Sequence, residues 1–135
     1  MWSNAPMPSP EAAFSTRLRA ALRLHGCDVV QVADAAVPGP ADLILEWPGH
    51  MAWVELKVDS PLRPEQRHFL RGRWARYRSA YLLRYCPDPP SYLLWAGDVP
   101  LQAGAELWAG RTLDIPAILC AIEACRVAHP QLPPL

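Results

Sequence analysis

Two carboxylates and one ammonium are the side chains of this sequence best suited to chemistry. Asp42 opens a short apolar run, DLILEW, and a Pro-Gly turn leads into a second run, MAWVELKV, which carries Glu55 and Lys57. Residues two apart on a strand share a face. Glu55 and Lys57 therefore point together with Trp53, while Val54, Leu56 and Val58 point the other way. Charges inside a strand that otherwise reads as buried are costly unless something compensates them. A divalent metal and a polyanionic substrate would do so; a structural salt-bridge cluster on a sheet edge is the other arrangement these bare residues permit. Lys57 is the only lysine in the chain, the other twelve basic residues being arginine. An ammonium is a compact, mobile charge where guanidinium is planar and rigid.

The elements that must position these residues follow from periodicity and punctuation. Ser9-Pro10 offers an N-cap and a first helical proline, and the helix they start runs to about Leu24, where Gly26 stops it. Phe14, Leu18 and Leu22 form its apolar stripe, and Glu11 shares their face. A carboxylate there suits the helix dipole. Cys27 to Val32 reads as a strand, as do Asp42 to Trp47 and Ala52 to Val58, the last two joined as a hairpin at Pro48-Gly49. A second helix runs from Pro64 to about Arg78, with Phe69, Leu70, Trp74 and Tyr77 at helical spacing. Arg63, Arg67, Arg71 and Arg78 line another side of it. Strands follow at Ala80 to Tyr85 and Tyr92 to Ala96, then a less regular stretch from Gly97 to Asp114. A final helix runs from about Ile115 to Ala128, capped by Asp114. The expected fold is α/β with a mixed central sheet flanked by helices.

The length of 135 residues suits one domain. Residues 1–8 read as a Pro-rich lead-in, 9–128 as the domain and 129–135 as a tail. The formal net charge is zero, but from Pro61 to Arg84 there are seven arginines against one acid, Glu65, giving +6 there and −6 elsewhere. A segregated basic patch of this kind suits a polyanion, or forms a solvated Arg-rich helix face. The four cysteines show no zinc-ligand spacing and read as small buried hydrophobes in a reducing compartment. Neither a signal peptide nor a membrane span is expected, so the chain reads as soluble and cytoplasmic.

Asp42, Glu55-Leu56-Lys57 and the Pro64-Glu65-Gln66 that opens the second helix resemble the PD-(D/E)xK nuclease superfamily, within it the VRR-NUC and Holliday-junction-resolvase-like branches. The resemblance covers about the first two-thirds of the chain and implies a restriction-endonuclease-like αβββαβ core. It implies a metal-dependent DNA endonuclease acting on branched or structured DNA, with homodimerisation. Asp42 and Glu55, with the Leu56 carbonyl, would hold Mg²⁺ or Mn²⁺, and Glu11 would complete the metal shell. Lys57 would orient the attacking water and stabilise developing charge, and Gln66 would hydrogen-bond water, phosphate or Lys57. Arg17, Arg63, Arg67 and Arg71 are the candidate DNA-backbone contacts. The chain departs from the family pattern at Gly39-Pro40-Ala41-Asp42, where the proline is displaced by one position, and at Arg63, where relatives carry Ser. The alternative is a catalytically silent nuclease-fold module that binds nucleic acid or protein.

Overall fold

The computed structural model describes residues 9–32, 43–97 and 104–129. Asp42 and the displaced proline before it lie outside the described residues, as do the expected lead-in and most of the expected tail. The elements run α1 (Pro10–Leu24), β1 (Asp28–Gln31), β2 (Leu43–Trp47), β3 (His50–Val58), α2 (Pro64–Tyr77), β4 (Ala80–Pro87), β5 (Pro90–Ala96), β6 (Trp108–Gly110) and α3 (Ile115–Ala128).

The six strands form one sheet in sequential order. All neighbours are antiparallel except β3 and β4, which are parallel and joined by α2. That pairing is required: a parallel pair cannot be closed by a tight turn and needs a crossover, here a helix. The β2–β3 hairpin turns at Pro48-Gly49 with Trp47 opposite His50, and Gly49 at φ +79° supplies the backbone geometry of the second turn position.

The two faces of the sheet are covered by different helices. α2 lies over the face that carries Trp53 and Glu55: Trp53 sits 6.4 Å from Phe69 and 6.5 Å from Tyr77 between ring centroids. α1 and α3 lie over the opposite face, where Phe14 packs on Tyr85 and Tyr92, and the Trp47 indole donates to Glu123 at 2.8 Å. The core between them includes Leu18, Leu22, Leu43, Leu56, Leu83, Leu94 and Ile122, each at most 1% exposed. Gly97 marks a close approach: a Cβ there would stand 2.8 Å from the Leu70 carbonyl oxygen of α2 and 3.0 Å from that of Ala80.

Several expectations need correction. The stretch before α3 contains a strand, β6, held on β5 through pairing of Trp108 with Leu94 and Ala109 with Leu93. With three residues it is too short to show a period, and its order comes from the neighbouring strand. Cys27 and Cys125 are buried, but Cys86 is only half-buried and Cys120 is exposed. Cys120 falls on the outer side of α3, opposite Ile118 and Ile122. Phe69 and Tyr77 do not enter the core with Leu70 and Trp74; they are half-buried and clasp Trp53. Gly72 lies exposed on α2 with nothing within 4 Å of where a Cβ would be, and nothing in the structure explains it.

Candidate active site

The site is built on the second half of β3, where the strand enters the sheet interior, and on the first turns of α1 and α2. Glu55, Lys57 and Gln66 are 2%, 6% and 6% exposed, three of the few buried polar residues in an otherwise apolar interior. The register places Glu55 beside Leu82 and Lys57 beside Arg84 on β4. An acid and a base two residues apart thus face the same side of the central parallel pair, as the period of a strand requires.

Gln66 shows how helix capping and site geometry are coupled. At the third position of α2, its side-chain oxygen accepts the Arg63 backbone N–H at 3.0 Å. This is the return half of a capping box, satisfying a donor that the helix itself leaves open. With the oxygen committed, the amide nitrogen can point only one way, and it donates to Glu55 Oε1 at 2.9 Å. The Arg63 side chain adds no cap bond and pairs with Glu65 at 3.5 Å instead. The absence of Ser at position 63 is therefore met from the other side, by Gln66.

Lys57 reaches toward α1, its Nζ 3.7 Å from Glu11 Oε1. The Ser60 hydroxyl donates to the same Glu11 oxygen at 3.2 Å. Ser60 arrives there because the chain turns sharply after β3 at Asp59, with φ +49° and its N–H bonded to the Tyr85 carbonyl at 3.0 Å. Aspartate tolerates this left-handed backbone better than most side chains. Glu55 with Gln66, and Lys57 with Glu11, thus form a group of two linked pairs drawn from three elements.

The arginines fall in different places. Arg63, Arg67 and Arg71 are exposed along α2. The Arg17 guanidinium stacks over Tyr85 at 4.9 Å and Phe14 at 5.6 Å, and donates to the Tyr92 hydroxyl at 2.9 Å, so aromatic contacts on the α1 face hold it. Arg78 closes α2 in a left-handed conformation, its N–H bonded to the Trp74 carbonyl. Trp53 is half-buried under its neighbours: Arg73 lies 4.4 Å over its ring, and Phe69 and Tyr77 flank it. Arg73 carried no sequence signal of its own; it stands four residues after Phe69 and four before Tyr77, a spacing that gathers all three on one helix face.

Among the described residues no group of three or more His, Cys, Asp or Glu side chains stands close enough to hold a metal ion. Glu55 and Glu11 contribute two hard oxygen donors of the kind Mg²⁺ and Mn²⁺ take, so the donor chemistry fits such an ion while the set is partial. Burial pushes the Cys27 thiol and the Tyr81 phenol above their ordinary values. Both lie outside this group.

A six-stranded mixed sheet, sequentially ordered, with a helix before it and a crossover helix between its two parallel strands, is a resolvase- or restriction-endonuclease-like fold. No family model and no curated protein sequence matches the chain. Among solved structures the chain is similar to Hjc of Archaeoglobus fulgidus, a Holliday junction resolvase from an archaeal hyperthermophile. The TM-score is 0.54 at 18% identity, over 86% of this chain and 98% of that one. The likeness is one of fold. No described helix is long and apolar enough to cross a membrane.

Proposed function

We propose that this protein is a metal-dependent endonuclease that hydrolyses phosphodiester bonds, acting as a homodimer on branched or otherwise structured DNA. One observation carries the reading: a carboxylate, an ammonium and a carboxamide are buried together on β3 and α2, with a fourth polar group, Glu11, reaching in from α1. Burying two charges costs several kcal/mol per ion before pairing, and a fold that needed only stability would place aliphatic side chains there. The resolvase-like fold supports the same reading, because an archaeal Holliday junction resolvase shares the architecture.

Glu55 and Asp42, with Glu11 and the Leu56 carbonyl, would hold Mg²⁺ or Mn²⁺; the ion, when bound, supplies charge neutralisation on the phosphate and an acidified water. Gln66 keeps the Glu55 carboxylate in one orientation by fixing Oε1. Lys57 sits beside Glu11, its Nζ 3.7 Å from Oε1. It hydrogen-bonds a non-bridging phosphate oxygen, orients the attacking water and offsets the negative charge that grows in the transition state. The exposed Arg63, Arg67 and Arg71 hold the DNA backbone without reading bases. The VRR-NUC and resolvase-like branches of the PD-(D/E)xK superfamily are the groups this site fits.

The test is cleavage of labelled duplex, single-stranded and four-way-junction DNA with Mg²⁺ or Mn²⁺, wild type beside Lys57→Ala. The expected result is metal-dependent cutting by the wild type, strongest on the junction, and binding without cutting by the variant. If wild type binds DNA and cuts nothing under any of these conditions, the catalytic reading is lost and a binding module remains. If it neither binds nor cuts, the buried charges are structural.

A further inference from the structure

We infer that Arg84 is a second phosphate-contacting cation of the site, seated beside Lys57 and recognising the same DNA backbone; this rests on the nucleic-acid reading above. Arg84 lies on β4 directly across from Lys57 in the parallel register. Adjacent strands stand about 4.8 Å apart, and residues in register share a face, so the two cations project from the sheet side by side.

Among the described residues Arg84 forms no ion pair, although Glu55 stands on the same face two positions before its register partner Lys57. Its neighbour on the other side, across β5, is Leu93. The ion pairs among the described residues join His50 to Glu123, Lys57 to Glu11 and Arg63 to Glu65, and leave Arg84 out. Its Nε is buried and has no hydrogen-bond partner among the described residues. A guanidinium nitrogen removed from water without an acceptor is costly, and like charges set directly opposite each other on a sheet add to that cost. A structural arginine in a sheet is ordinarily paired. An arginine half-buried next to a buried lysine is placed to receive a ligand oxygen at its outer guanidinium nitrogens, while its Nε stays buried. A phosphodiester fits it: two non-bridging oxygens match the guanidinium fork, while the neighbouring Lys57 acts as a point charge on the same group.

This role separates Arg84 from the arginines on α2. Those are exposed and reach DNA from a helix surface, where one lost contact is partly replaced by another. Arg84 is fixed by its strand and held in register with Lys57, so it sets where along the DNA strand the phosphate seats.

The test is equilibrium binding of a labelled four-way junction in Ca²⁺, a hard cation that takes the same kind of oxygen donors as Mg²⁺, measured by fluorescence anisotropy over a salt series. Wild type is compared with Arg84→Met, which keeps the apolar stem, and Arg84→Lys, which keeps the charge but not the fork. For Arg84→Met, affinity is expected to fall about tenfold, the scale of one charge-assisted hydrogen bond. The slope of log affinity against log salt should become shallower by about 0.9, one phosphate contact. Its melting temperature should hold or rise, since an uncompensated buried donor is gone. Arg84→Lys should keep the wild-type slope with several-fold weaker binding, and it carries the test should Arg84→Met fail to fold. Wild-type affinity and slope in both variants overturn the inference while leaving the nuclease reading intact. Failure of the wild type to bind any DNA overturns both. Absence of wild-type cleavage in the separate Mg²⁺ or Mn²⁺ assay, with the slope change in Arg84→Met here, sinks the nuclease reading and supports the phosphate contact.

Discussion

Replacing Gln66 with Leu, close in volume, isolates what the carboxamide does. Two hydrogen bonds are lost: the one to Glu55 Oε1 at 2.9 Å and the one that accepts the Arg63 N–H at 3.0 Å. The first has a charged or chargeable acceptor in a site only 2% exposed, which sets its loss at roughly 1.5–3 kcal/mol. The second is a helix-cap bond at an exposed N-cap residue, where water takes over, and its loss costs about 0.5–1 kcal/mol. Burying a leucine in place of an amide returns about 1 kcal/mol. The expected destabilisation is therefore roughly 1–3 kcal/mol in a urea titration with an unchanged m-value. For a domain of this size that is a fall in Tm of roughly 4–12 °C. Gln66→Glu gives a sharper signature. It sets a second carboxylate at the same 2.9 Å from Glu55, and two carboxylates that close cannot both ionise. The pair then holds one proton with a folded pKa raised above the ordinary carboxylate value. A raised folded pKa contributes stability that is present at low pH and lost as pH rises through it. Gln66→Glu should therefore lie near wild type at about pH 4 and fall progressively below it toward pH 7. A Gln66→Leu penalty under about 0.5 kcal/mol, together with a pH-independent Gln66→Glu, would refute the reasoning: Gln66 would then be neither cap nor clamp.

Three further outcomes can be checked. Glu11→Ala should lower metal-dependent cleavage more than tenfold and destabilise by about 1–3 kcal/mol, because the buried Lys57 ammonium loses its carboxylate partner; a loss of stability with cleavage unaltered would assign Glu11 a structural role alone. Gly97→Ala should destabilise by about 1–3 kcal/mol in urea, since the new methyl meets two backbone carbonyl oxygens at 2.8 and 3.0 Å, neither on a flexible side chain; a neutral result would mean that α2 shifts freely over β4 and β5. Burial raises the Tyr81 phenol above its ordinary value of 10.0. The unfolded chain ionises first, so its contribution to stability is present below pH 10 and lost as pH rises beyond it. Tyr81→Phe should accordingly flatten the alkaline loss of stability seen by circular dichroism, and an unaltered alkaline limb would exclude Tyr81 as its source.

Much of the fold was legible from local signals. α3 begins at Ile115 because Asp114 caps it and Pro116 fits its first turn, and its ends match the reading from sequence. α1 starts at Ser9-Pro10 for like reasons, and α2 at Pro64, where the proline opens the first turn and Gln66 rather than Arg63 supplies the side-chain cap bond. The period of two in MAWVELKV placed Glu55 and Lys57 on one face, and burial of both followed. β6 was not legible, because three residues carry no period and pairing with β5 alone orders them. The half-burial of Phe69 and Tyr77 was not legible either: helical spacing shows that they share a side, but not that this side meets Trp53 and Arg73 at the margin of the sheet.

What the sequence determined by itself is the set of local facts: which residues cap, which alternate, and that one acid and the only lysine stand two apart on a strand. What tertiary structure decided is which distant groups meet them. The bond from Gln66 to Glu55 spans 11 positions, and Ser60 meets Glu11 across 49. The parallel register that brings Arg84 beside Lys57 depends on how α2 crosses the sheet. Periodicity reports the face a side chain takes within its own element. Only the packing of one element on another determines what stands opposite.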